Sequence, residues 1–159
     1  MPIIVSTAEL AGYVGRQLTG PQWLEIDQER INRFADVTGD HQFIHVDPVA
    51  ARATPFGSTI AHGYLTLSLL PLLLDPIQLQ PEGVSWGLNY GLDRLRFLAP
   101  VPAGAAVRAL STLLAVEDKG GGRLLMRSEV VVEIRGADRP ALAATTLAMW
   151  VLGTPPARS

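Results

Sequence analysis

"TIAHGYLTLSLLPLLL", residues 59–74, decides the fold. Wound at 3.6 residues per turn, it is apolar on nearly every side, and a helix of that character is buried all round. Thr66, Ser68 and Pro71 interrupt it, and it falls short of the roughly 20 apolar residues that cross a bilayer. The expectation is a buried core helix over residues 60–72. Pro71 has no N–H to give to the preceding turn and is expected to kink or end that helix. The rest of the chain must then supply the layer that covers it.

That layer follows directly. "VSWGLNYGLDRLRFLAPV", residues 84–101, is aromatic, branched and dotted with glycine, and reads as a strand with a bulge or turn near Gly91. Residues 105–136 read as two long strands joined at glycines 120–122. In the second, Arg127, Glu129 and Glu133 alternate with Met126, Ser128, Val130, Val132 and Ile134, which is period two with one wet and one dry face. "PALAATTLAMWVLG", residues 140–153, has less contrast and is expected to be covered on both faces. "TPPARS", residues 154–159, reads as a frayed tail. No internal repeat and no low-complexity linker is present.

Upstream, "EIDQERINRFADVTGD", residues 25–40, carries a helix. Asp27 is suited to cap its start, Ile26 and Ile31 to staple it, and Gly39 to end it in a left-handed cap. Asp40 to His45 would then form an irregular loop. Asp47 and Pro48 restart a helix, as cap and first residue. Helices first and long antiparallel strands afterwards give an α+β domain, a sheet wrapped around the central helix.

The 159 residues suffice for one core and not comfortably for two, so residues 1–159 are expected to form a single domain. The chain is 48% hydrophobic and 18% charged, with a mean hydropathy of +0.23. That apolar surplus asks for a large core or a buried subunit interface. A net charge of −2 gives no support to nucleic-acid binding. The absence of cysteine excludes disulfides, thiolate zinc sites and a cysteine nucleophile, and fits a reducing compartment. The first residues show no basic segment followed by an apolar one. No membrane association and a cytoplasmic location are expected.

"GDHQFIHVD", residues 39–47, concentrates the chemistry. His41 and His45 are spaced like the HExxH of zinc proteases, but that spacing works only on a helix, and Gln42 stands where the general base would be. A third ligand would have to be Asp40, Asp47 or His62, and no metal is expected. As an acid/base pair, Asp40 and His45 can hold one water between them, with Phe43 and Ile44 partly excluding solvent. The ordinary alternative is a turn aspartate capping a chain end and a histidine satisfied within the core. A second feature adds to the first. Gly63 opens the core helix, where backbone N–H groups are unpaired and sit at the positive end of the dipole. Its N–H can bond an acyl oxygen as negative charge develops there. Equally, Gly63 can serve close helix–sheet contact, and His62 can be a polar residue at a helix start.

"ADVTGDHQFIHVDP" followed by "PFGSTIAHGYL" resembles the MaoC-like (R)-specific enoyl-CoA hydratase family, also called hydratase 2, and the run through "NYGLDRLRFLAPVPAG" resembles its NodN-like branch. The motifs cover about residues 25–110. The resemblance implies a hot-dog fold, commonly dimeric, and syn addition of water to a trans-2-enoyl thioester to give an (R)-3-hydroxyacyl thioester. It implies that Asp40 and His45 activate the water and that the Gly63 N–H polarises the thioester carbonyl. Gln42 stands where the family often has asparagine, which puts its part in orienting the water or the histidine in doubt. His62, Tyr64, Asn89 and Tyr90 are candidate substrate contacts, though Asn89 and Tyr90 can equally be strand and turn residues. Arg94 and Arg96 can meet the coenzyme A phosphates or simply face solvent. Trp23, Trp86 and Trp150 are expected in the core or an interface.

The implied partners are an acyl-CoA or acyl-carrier thioester and a second copy of the chain, with coenzyme A entering only as part of the substrate and no further cofactor. Two alternatives share the fold. One is a hot-dog thioesterase, which more often places an acid on the central helix, and residues 60–72 contain none. The other is a non-catalytic acyl-thioester binding subunit, against which the complete set of Asp40, His45 and Gly63 argues.

Overall fold

The computed structural model describes residues 1–153; the tail read as frayed, residues 154–159, lies outside the described residues. Helix α1, Gln28–Thr38, begins and ends as its sequence requires. The Asp27 carboxylate accepts from the Arg30 N–H at 2.8 Å, and Gly39 closes the helix at φ 78°, its N–H bonded to the Ala35 carbonyl. The expected irregular loop contains a helical turn, α2 (Phe43–Val46). Asp47 then caps α3 (Pro48–Ala51), accepting from the N–H groups of Val49 and Ala50 at 3.0 Å each.

The core helix is two short helices, α4 (Gly63–Ser68) and α5 (Leu70–Leu74), with Pro71 in the first turn of the second. Residues 60–62 are not helical. Ile60 forms an isolated bridge with Pro102, and the Ala61 N–H donates to the Val101 carbonyl at 2.8 Å. The helix is also not buried all round. Leu65, Thr66, Leu69, Leu70 and Leu73 are buried, whereas Tyr64 is 67% and Leu72 55% exposed, on a stripe that also carries Ser68 and Pro71. One chain's sheet covers only one side of this helix pair.

The main sheet is built from β2 (Gln17–Thr19), β3 (Leu24–Ile26), β5 (Val84–Phe97), β6 (Ala105–Asp118), β7 (Arg123–Ile134) and β8 (Leu142–Leu152). Its order is β2-β6-β7-β8-β5, with β3 also paired to β6, and every pairing is antiparallel. Two further strands, β1 (Ile3–Val5) and β4 (Leu79–Pro81), form a parallel pair. Glycines 120–122 all take positive φ at the β6–β7 turn. Strand β7 turns Val130, Val132 and Ile134 inward, as its alternation predicts. Strand β8 lies between β7 and β5, but most of it is only half-buried, so the second covered face expected of it is incomplete.

Strand β5 is one edge of the sheet. It pairs with β8 alone, and its register shifts at three places, one of them between Asn89 and Gly91 as expected and another between Asp93 and Arg96. At that last bulge Arg94 takes φ +53°, a left-handed conformation that a side chain rarely adopts. Trp86, Leu88, Tyr90, Leu92 and Phe97 of this strand are all exposed. Across the sheet, the Trp150 ring lies over Gly87, where a Cβ would come within 2.7 Å of it. Trp23 is half-buried beneath the guanidinium groups of Arg108 and Arg135, at 4.6 and 4.9 Å.

The main core joins the inner sides of α1, α4 and α5 to the sheet face of β6, β7 and β8. This contact fixes the start of α4, and with it Gly63, against the loop that carries Asp40 and His45.

Candidate active site

Three side chains converge at the ends of α1, α2 and α4. The ligand-type atoms of Asp40, His45 and His62 all lie within 4.8 Å of one another. Asp40 follows the Gly39 cap directly and is exposed, while His45 is 7% and His62 3% exposed. His45 Nδ1–H donates to the Ile60 carbonyl at 2.7 Å. That oxygen can only accept, so Nδ1 carries a hydrogen and Nε2 is the nitrogen left for chemistry.

The loop bearing Ile60 is itself held. Its N–H donates to the Ile44 carbonyl at 3.0 Å. Gln28 ties the same two segments together. Its amide nitrogen donates to the His45 carbonyl at 2.7 Å, and its amide oxygen accepts from the buried Thr59 hydroxyl. Sequence reasoning gave Gln28 and Thr59 no role. Their partners lie 17 and 31 positions away, and no local pattern signals such a contact.

The other candidates are placed as follows. Gln42 caps α2 without a side-chain cap bond, and its backbone N–H reaches Asp40 Oδ1 only at 3.4 Å. His62, expected to touch substrate, is covered instead: its Nε2–H donates to the Asp40 carbonyl at 2.9 Å and its ring stacks on His45. Tyr64 projects from α4, edge-on to Phe97 at 5.8 Å. Gly63 lies under Phe97, and a Cβ there would come within 3.1 Å of the ring. Close helix–sheet contact alone therefore accounts for a glycine, and its N–H at the first helical position stands free of the helix's own ladder. Phe43, expected to shield the pair, is itself exposed.

A cleft of about 690 Å³ runs between the outer side of α4–α5 and the β5–β8 edge, lined by Leu67, Leu70, Leu74, Leu88, Leu147 and Trp150. Asn89 also lines it, whereas Tyr90 is exposed and not among its walls. Arg94 and Arg96 are exposed, the latter donating to the Leu95 carbonyl at 2.8 Å.

Asp40, His45 and His62 are also a group of metal-ligand residue types. His62 spends Nε2 on the Asp40 carbonyl, and its Nδ1 is buried without a partner. That leaves Nδ1 as the free nitrogen of His62, beside Asp40 and His45. His41 does not belong to this group. It lies before α2, exposed, and bonds Asp36 at 2.9 Å.

This last pair gives a pH signature. The hydrogen bond to the Asp36 carboxylate raises the His41 pKa above its ordinary 6.5. A raised histidine contributes its stability in full below the unfolded value and loses it as pH rises through the folded one. An NMR titration of His41 is expected to show a midpoint above 6.5, falling back in Asp36→Asn. An unchanged midpoint in that variant would contradict the assignment.

The profile of the MaoC like domain matches residues 9–133. The chain belongs to the MaoC-like family. This MaoC-like chain is 47% identical over 146 residues to 3-hydroxyacyl-thioester dehydratase Z of Mycobacterium tuberculosis, covering 92% of this chain and 96% of that one. It is 45% identical over 141 residues to nodulation protein N of Rhizobium leguminosarum, covering 88% of each. Among solved structures it is similar to the R-hydratase PhaJ1 of Pseudomonas aeruginosa, with a TM-score of 0.65 at 25% identity over 92% of this chain and 91% of that one. The hot-dog architecture and the NodN-like branch read from the motifs are both borne out. No helix of this MaoC-like chain is long and apolar enough to cross a membrane, among the described residues.

Proposed function

We propose that this chain is an (R)-specific enoyl-thioester hydratase, working reversibly as a 3-hydroxyacyl-thioester dehydratase. The observation that carries the reading is the approach of Asp40 to His45 with only Nε2 of the histidine free. A water bonded at about 2.8 Å to two atoms, at a near-tetrahedral angle, spans about 4.5 Å between them. The ligand-type atoms of the Asp40–His45–His62 cluster lie within 4.8 Å of one another, which is on the scale of one bridging water.

The pair shares one mobile proton. As the water oxygen bonds to C3 of the enoyl group, the unprotonated member takes a proton from that water. The protonated member delivers its proton to C2, the C2–C3 π bond is lost, and the mobile proton ends on the other partner. Both groups stand on one side of the substrate, so addition is syn. The Gly63 N–H holds the thioester oxygen while C2 carries enolate character. The step is redox-neutral and each proton has a protein carrier, so it calls for no cofactor, and coenzyme A or an acyl carrier is simply part of the substrate.

The acyl chain has a place to go. Leu67, where the cleft begins, is one helical turn from Gly63, about 6 Å along the axis. The cleft is open toward the edge strand β5, whose unpaired backbone and exposed apolar side chains invite a second strand. The chain is accordingly read as one MaoC-like domain that pairs with a second copy along β5, in the cytoplasm. Light scattering is expected to give a dimer, and Leu88→Lys combined with Tyr90→Lys to give a monomer. A monomeric wild-type protein would remove the dimer.

Hydration of crotonyl-CoA, followed by loss of enoyl absorbance, tests the function together with an assay for free thiol. Enoyl loss without thiol is expected. Thiol release would make the protein a thioesterase, and silence with short, long and carrier-bound substrates would make it a binding subunit.

A further inference from the structure

We propose that His62 is a positioning residue that sets the geometry of the Asp40–His45 pair and does not itself touch substrate. The inference rests on the acid/base reading above and goes beyond it. The ring is 3% exposed. It makes two different contacts with two different members of the pair. Its Nε2–H donates to the backbone carbonyl of Asp40 at 2.9 Å. Its face stacks on the His45 ring, with centroids 3.8 Å apart and planes 27° apart. On its other contact the Phe34 ring lies tilted at 5.0 Å.

The second ring nitrogen separates this role from core filling. His62 Nδ1 is buried with no hydrogen-bond partner. A buried polar atom without a partner carries a desolvation penalty, and an apolar ring would fill the same space without it. Packing alone therefore does not favour histidine here. A flat ring with a donor at the Nε2 position satisfies both contacts: the face fixes the plane of His45, and the donor fixes the backbone from which the Asp40 side chain departs. His45 is thereby located from two sides, by the Ile60 carbonyl at Nδ1 and by the His62 ring on its face. The Asp40 loop, exposed and one residue beyond the helix cap, has in His62 an anchor from the core.

Two variants divide the two contacts. His62→Phe keeps a ring to stack and loses the donor, whereas His62→Gln keeps a donor of similar reach and loses the ring. Each is expected to lower kcat on the order of 10-fold to 10²-fold, as small misplacements of reacting groups do, with KM within about twofold of wild type. His62→Phe placed on Asp40→Asn should cost little beyond Asp40→Asn alone, because a residue acting through the pair has no pair left to act on. An unchanged kcat in His62→Phe, a rise in KM with kcat kept, or a full additive loss in the double variant would each overturn the proposal. If Asp40→Asn keeps wild-type turnover, the acid/base reading itself fails, and that failure is distinguishable from the others. The wild-type protein supplies a check independent of any variant's folding. The ¹⁵N shifts of His62 should report hydrogen on Nε2, and hydrogen on Nδ1 alone would overturn the proposal, since that tautomer cannot donate to Asp40.

Discussion

Asp40→Asn and His45→Gln are each expected to lower hydration by on the order of 10²-fold or more, the usual cost of removing an acid/base group. Asparagine preserves the shape of Asp40 and leaves no carboxylate to take or give a proton. Glutamine at position 45 can still place a donor near the Ile60 carbonyl, yet it has no nitrogen equivalent to Nε2 that titrates. Because both residues serve one shared proton, their losses should not multiply: the double variant is expected to be about as slow as the slower single one. Acyl-thioester binding should survive in both, since the apolar cleft is built from other residues. Steady-state kinetics and a binding titration check this, and near-wild-type rates in both variants would end the mechanism.

The second large effect is on stability. Leu142 is fully buried in β8, opposite Phe97 of β5 and Val132 of β7, within the cluster that includes Leu65, Leu69 and Leu70. Leu142→Ala leaves a cavity beneath the central helices and is expected to cost about 2–5 kcal/mol. In a chain of this size each kcal/mol is worth roughly 2–4 °C, so the melting temperature should fall by about 5–20 °C. Thermal unfolding checks it, and a shift below about 2 °C would mean that the sheet does not bear on the helices as described. Leu72→Ala, on the exposed stripe, serves as the comparison within the single chain.

What could be read from the residues depended on how local the cause was. The Asp27 and Asp47 caps and the Gly39 terminus were legible because each satisfies backbone groups within four residues. The alternation of β7 was legible because twelve residues display the period. Strands of three residues, such as β1 and β2, show too little of a period to be seen. The helix read as buried on every side is half open here. Composition alone does not say which side the sheet covers, and one chain's sheet covers only one side. In the site, Asp40 and His45 came from a short motif. Neither the bracing of that motif by His62 nor its tie through Gln28 and Thr59 could be read, because each depends on chain segments brought together only by folding.

The measurement that tests the central claim most directly is hydration of an enoyl thioester in D₂O, with the product's configuration read at both carbons. An (R)-specific hydratase gives an (R)-3-hydroxyacyl thioester, and Asp40 and His45 acting from one face place a single deuterium at C2 on the same face as the new hydroxyl. Deuterium on the opposite face, or spread over both faces, would contradict a single-faced pair, and an (S)-alcohol would contradict the (R)-specific reading.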